Sequence, residues 1–181
     1  MSIYGVIARR TATGFVGRLH QNVGNPHILG RALFRLRNGH FEGDTASMLR
    51  VLIDEHPAGW SDITNKDFAL APGFISPRPY LSWEQYLTLP DARQPQCYCH
   101  GERSDPPVTF TEAHTPMDAT FLYVIDEVSH TMDIYLYRWP PFSLPTGEPE
   151  RRLIGSVALD GPEPSWRRYR SERIFYSTEN L

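Results

Sequence analysis

Apolar residues along this chain recur with two periods, and the change from one to the other marks its elements. Ser2 to Ala8 and Phe15 to Gln21 are short runs rich in branched and aromatic residues and read as strands. Between them Arg9-Arg10-Thr11-Ala12-Thr13-Gly14 ends on a glycine suited to a positive-φ loop position, which predicts an N-terminal hairpin. The period then lengthens. Ile28, Leu29, Ala32, Leu33 and Leu36 share one face of a helix, opened by Asn25-Pro26 and stopped by Asn38-Gly39. Asn at the cap offers a side-chain acceptor, and Pro at the first helical position loses nothing by lacking an N–H. Asn38-Gly39 supplies the left-handed stop. A second helix starts at Asp44 or Thr45, buries Met48, Leu49, Leu52 and Ile53, and ends before Pro57.

From Ala58 to Pro116 prolines interrupt every pattern, which predicts ordered loops, with one short helix over Leu81 to Leu87 capped by Ser82. Ala119 to Asp126 is apolar on both faces and reads as a central strand. Thr131 to Trp139 alternates and pairs with it through a turn near Ser129-His130. Residues 140–149 form a proline-rich loop, Arg152 to Leu159 a further strand, and Trp166 to Tyr176 a last element of either type. The expected fold is a single α+β domain spanning residues 1–181. Its mainly antiparallel sheet has about five strands, two helices pack on one face, and the middle is loop-rich.

Composition narrows the class. The chain has 181 residues, 40% hydrophobic and 22% charged, enough for one sizeable core and too apolar for disorder. The longest apolar run, from Ala119 to Ile125, falls far short of the roughly 20 residues of a membrane span, so no membrane role is expected. The N-terminus lacks the charged and apolar regions of a cleaved secretion signal, and the expected compartment is the cytoplasm. The net charge of -3 is uneven: residues 1–50 hold seven arginines against Glu42 and Asp44, a surplus of +5, so the remainder carries -8. A basic half steers phosphate-bearing partners, but exposed aromatics do not interleave these arginines, which argues against nucleic acid.

Chemistry concentrates at Cys97-Tyr98-Cys99-His100, which contains both cysteines. Two cysteines at i and i+2 make a strained disulfide, so free thiols or metal-bound thiolates are expected. Cys97, Cys99 and His100, with His114 as the nearest fourth histidine, would complete a zinc tetrahedron; Glu102, Asp105 and His130 are alternatives for the fourth position. The competing readings are a purely structural turn and a Cys99–His100 thiolate–imidazole pair, the latter opposed by strand alternation.

His20, Arg18, His27 and Arg31 meet at the hairpin-to-helix junction, where a ligand anion would find imidazole, guanidinium and a helix N-terminus. Solvated arginines are the plainer alternative. His40 and His56 follow helix ends, where capping accounts for them. Removal of Met1 would expose Ser2 as an N-terminal nucleophile. Gly155-Ser156 sits in a strand rather than a nucleophile elbow, and Glu84 with Asp91 or Asp126 with Glu127 reads as solvated loop acids. Tyr135, Tyr137, Trp139 and Phe142 form either an exposed aromatic strip or core.

The stretches Gly5-Val6-Ile7-Ala8, Gly14-Phe15-x-Gly17-Arg18, His20, Leu29-Gly30-x-Ala32-Leu33, Asp54-Glu55-His56-Pro57-Ala58-Gly59-Trp60-Ser61 and Cys97-Tyr98-Cys99-His100-Gly101 occur in that order. Together they resemble a group of small uncharacterised proteins from high-GC actinobacteria and their phages and plasmids. That resemblance covers about the first two thirds of the chain and implies a habitat, not a mechanism. Within the group, the segments around Trp60 and Cys97 look like shared features with a common surface between them.

The expected function is a small cytoplasmic binding or accessory protein acting through a protein partner, with zinc as the candidate cofactor. Two alternatives stand beside it: a hydrolase using the Cys/His metal site or Ser2, and a binder of a phosphate-rich ligand through the arginine-rich half.

Overall fold

The computed structural model describes residues 3–70, 84–85, 88, 93–100, 105–114, 119–138 and 150–169. The chain is α+β, built on one mixed sheet of eight strands: β1 (Tyr4–Thr11), β2 (Gly14–His20), β3 (Trp60–Asp62), β4 (Gln96–Cys97), β5 (Phe110–Thr111), β6 (Ala119–Asp126), β7 (Thr131–Arg138) and β8 (Glu150–Ala158). Their order is β4-β3-β2-β1-β6-β7-β8, with β5 also on β2.

The expected count of about five strands misses three strands of two or three residues. β3, β4 and β5 lie in the proline-punctuated middle and are too short for a period to reveal. The mainly antiparallel expectation is also corrected. β1 runs parallel to β6, and β2 runs parallel to β3 at His20↔Trp60. A parallel neighbour is fixed by a crossover rather than a turn, so no local residue signals it.

The two hairpins form, β1 with β2 and β6 with β7. The first is longer than predicted, because Arg9 and Arg10 belong to β1 rather than to the loop. Arg9 pairs with Asp54 (2.9 Å) and Glu127 (2.6 Å), and Arg10 pairs with Asp126 (3.4 Å) and Asp133. Ala12 and Thr13 are left to make the turn, with Gly14 at φ 140°.

Helix α1 (Arg31–Asn38) is preceded by a wide turn, Pro26–Gly30, in which the Arg31 N–H reaches the Pro26 carbonyl. Asn25 caps through its backbone carbonyl, which accepts from Ile28 and Leu29, and not through its side chain as expected. Gly39 is not left-handed either, at φ -94°; that geometry appears at Glu42 and Gly43. Helix α2 (Thr45–Leu49) starts as predicted, with the Asp44 carboxylate accepting from the Ser47 N–H (2.9 Å), and continues into a second wide turn, Arg50–Asp54.

Both helices cover one face of the sheet. Leu29, Leu33, Phe34, Met48, Leu49, Leu52 and Ile53 pack on Ile7, Tyr123, Ile125, Met132 and Ile134. The opposite face buries Val6, Ala8, Phe15, Leu122, Val124 and Tyr137, so β6 is covered on both sides, as its sequence required. Tyr137 is therefore core and Tyr135 half-buried, while Trp139 and Phe142 lie outside the described residues. Most of the Leu81 to Leu87 helix and the 140–149 loop also lie outside them. The last described element is a short 3-10 turn, Trp166–Tyr169, packed beside α1. Among the described residues no helix is long and apolar enough to cross a membrane.

Candidate metal centre

Two of the short middle strands, β3 and β4, bring the distant segments around Trp60 and Cys97 side by side. After α2 the chain turns through His56-Pro57-Ala58-Gly59, closed by a Gly59 N–H to His56 carbonyl bond of 3.0 Å. Gly59 has φ +86°, and a Cβ there would stand 2.7 Å from the Leu19 carbonyl oxygen, so only glycine fits both the rotation and the approach to β2. Trp60 follows. It pairs with His20 of β2 on one side and with Cys97 of β4 on the other. Its indole N–H donates to the Leu52 carbonyl (2.8 Å), anchoring it to the wide turn that follows α2. The Tyr98 N–H donates to the Gly59 carbonyl (3.1 Å), which extends the pairing past β4.

Four donors converge as a result. His56, Cys97, Cys99 and His100 each offer one ligand atom, and all four atoms lie within 4.8 Å of one another. Cys97 Sγ is 3.2 Å from His100 Nδ1, and Cys99 Sγ is 3.7 Å from His56 Nδ1. A tetrahedral zinc with bonds of about 2.0–2.3 Å sets its donors roughly 3.3–3.8 Å apart, so the group is near that spacing and needs only a small contraction. Such a group could hold a metal ion.

The site is graded in exposure: His56 and Cys97 are buried, Cys99 is half-buried and His100 is exposed. The His56 ring lies on the Trp60 indole at 4.2 Å between centroids and faces the His100 ring at 4.8 Å. Burial, with the nearby His100 adding to it, lowers the His56 pKa to about 3. Burial also pushes the Cys97 thiol up to about 12. Without a metal, both groups are therefore neutral. A cation would reverse this balance for the thiol, because thiolate is the form it coordinates, and the neutral imidazole is already competent.

Where the sequence offered a Cys99–His100 pair, a bend over Tyr98 to His100 sets Cys97 Sγ against His100 and Cys99 Sγ against His56. His114 is exposed beyond β5, where its backbone bridges Thr111, and is not among the four. His130 lies in the β6–β7 turn, bonded to Asp160 (2.7 Å). Asp105 meets the Tyr98 carbonyl through its N–H (2.9 Å), and Glu102 is outside the described residues.

Of the four residues considered for an anion, His20 and Arg18 serve the scaffold. His20 is fully buried, its Nε2 accepting from the Ile63 N–H (3.2 Å). Arg18 donates to the carbonyls of Ile53 (2.8 Å) and Val108 (3.0 Å). His27 and Arg31 instead line a cavity beside α1. Ser2 and Asp91 lie outside the described residues, and Asp126 and Glu127 are paired with Arg10 and Arg9.

The sequence alone places His56 only at a helix end, because its distance to the cysteines depends on β3 meeting β4, with 36 residues between Trp60 and its partner Cys97. The available signal was the pair of turn segments around Trp60 and Cys97, taken together rather than separately. No protein-family profile, no curated protein and no solved structure matches the chain.

Proposed function

We propose that the chain is a small binding protein in which zinc on His56, Cys97, Cys99 and His100 fixes a recognition cleft for a protein partner. The observation that carries this reading is the convergence of two sulfurs and two imidazoles within 4.8 Å. A Cys₂His₂ set fills a zinc tetrahedron with protein donors, the closed arrangement of structural sites, whereas a hydrolytic zinc keeps one position for water. The hydrolase alternative would require one donor to leave. A Cys97 thiol raised to about 12 is also a poor nucleophile at neutral pH.

Support for a binding role comes from the cleft beside the donors. It has a volume of about 310 Å³ and is lined by Leu19, Gln21, Ala58, Tyr98, Asp105 and Val108, among others. Ala58 lies two residues after His56, and Tyr98 lies between the cysteines with its hydroxyl donating to Gln21 Oε1 (2.5 Å). One ion would thus tie together both walls. The occupant we favour is an extended peptide segment of the partner, one apolar side chain in the cleft and a basic residue facing Asp105.

Metal analysis by native mass spectrometry tests the centre. One zinc per chain is expected, lost in Cys97→Ser and in His56→Ala and kept in His114→Ala. Metal-free wild-type protein with two titratable thiols would overturn the reading. Peptide-library selection on the zinc-loaded protein tests the cleft: basic peptides with an apolar anchor should enrich, and should lose binding in Tyr98→Ala while zinc is retained. Peptides that bind Tyr98→Ala equally well would sink the cleft.

A further inference from the structure

A second cavity, of about 360 Å³, lies between α1 and the segment from Ile63 to Phe68, and shares no residue with the metal donors. Its volume falls in the range of small-molecule sites. The helix wall presents His27, Arg31 and Arg35, each four residues after the last and hence on one stripe. Lys66 stands on the opposite wall, and Ile28, Leu36 and Phe68 add apolar surface.

The charges are organised by a shared acid. Glu163 accepts from Arg31 Nε (3.1 Å) and from Arg35 Nε (3.0 Å). One carboxylate thereby holds two guanidinium groups, leaving a positive surplus, and the Nη groups of both have no partner among the described residues. The other charges of the lining are matched, Lys66 by Asp62 (3.2 Å) and Asp67 by Arg93 (3.4 Å). Guanidinium forks held at their Nε ends are pre-organised for a planar or tetrahedral oxyanion.

We propose that this cavity binds a small organic phosphate, its phosphoryl oxygens on the Nη groups of Arg31 and Arg35 and its compact, planar or apolar body on Ile28, Leu36 and Phe68. A cavity of this size suits a single phosphate monoester. The site is independent of the metal centre and would survive its loss.

Isothermal titration calorimetry of the full chain at low salt tests the proposal, with adenosine monophosphate and inorganic phosphate as probes. The nucleotide should bind in the sub-millimolar range and inorganic phosphate about tenfold more weakly, the difference measuring the contribution of the body. Arg31→Gln and Arg35→Gln, both at half-exposed positions that should fold normally by circular dichroism, are each expected to weaken the nucleotide at least tenfold. Ala32→Glu, which sets a carboxylate on the same wall, should abolish binding. Arg50→Gln, a charge change in the basic half but outside the cavity, should leave it unchanged. Absence of binding by either probe at 10 mM, an equal loss in Arg50→Gln, or tighter and steeply salt-dependent binding of a DNA decamer would each overturn the proposal.

Discussion

Acidification should destabilise this protein through His20, and the size of the effect follows from its burial. His20 is fully buried at the end of β2, its Nε2 accepts the Ile63 N–H, and its Nδ1 is buried beside the Asn22 backbone. An Nε2 that accepts requires the proton on Nδ1, so the ring is neutral. Burial lowers its pKa from 6.5 to about 4, with the Asp62 carboxylate and the Asn22 backbone opposing the shift. Between those values the unfolded chain binds a proton that the folded chain refuses. The His20 contribution to stability is thus complete above pH 6.5 and is lost as the pH falls through that window. A shift of roughly 2.5 units at 1.36 kcal/mol each amounts to about 3 kcal/mol. Urea unfolding of metal-free protein at pH 7 and pH 4.5 measures it, with His20→Gln as the reference, since the amide oxygen can accept from Ile63 and does not titrate. Wild type should lose about 2 kcal/mol more than His20→Gln between these values, because pH 4.5 spans most of the window; the His56 titration contributes to both and cancels. Equal losses in the two proteins would show that His20 is hydrated or protonated in the folded state and refute the reasoning.

Three further outcomes follow from the geometry. Gly59→Ala forces a side chain onto a φ of +86° and 2.7 Å from the Leu19 carbonyl, so it should cost about 2 kcal/mol or more by thermal unfolding and reduce zinc retention, because the turn carries His56. Arg37 is buried and donates to Thr45 Oγ1 (3.1 Å), the Leu159 carbonyl (3.0 Å) and Asp160 (2.6 Å), tying α1 to the end of β8; Arg37→Met should cost about 2–4 kcal/mol in chemical denaturation, whereas a surface-like loss below 0.5 would contradict the network. Chelator treatment should lower the melting temperature of wild type and leave that of Cys97→Ser unmoved, which differential scanning calorimetry reads directly.

The chain by itself determined those parts of the molecule whose cause is local. The spacing from Ile28 to Leu36, the Asp44 cap, the Ala119 to Asp126 run and the alternation after Thr131 each specify an element, because a helix or a hairpin is stabilised by neighbours a few residues away. The adjacency of Cys97, Cys99 and His100 was legible for the same reason. The tertiary structure alone decided the parallel pairing of β1 with β6, the two- and three-residue strands of the proline-rich middle, and the placing of His56 beside the cysteines. Those depend on contacts between segments tens of residues apart. The β3–β4 ladder spans Trp60 to Asp62 and Gln96 to Cys97, too short to hold a pattern, yet it sets the His56 turn against the cysteine loop. Similarly, Arg31 and Arg35 were visible as charges, but their common partner, Glu163, stands 128 residues or more away, and only the folded chain turns two solvated arginines into one oriented pair.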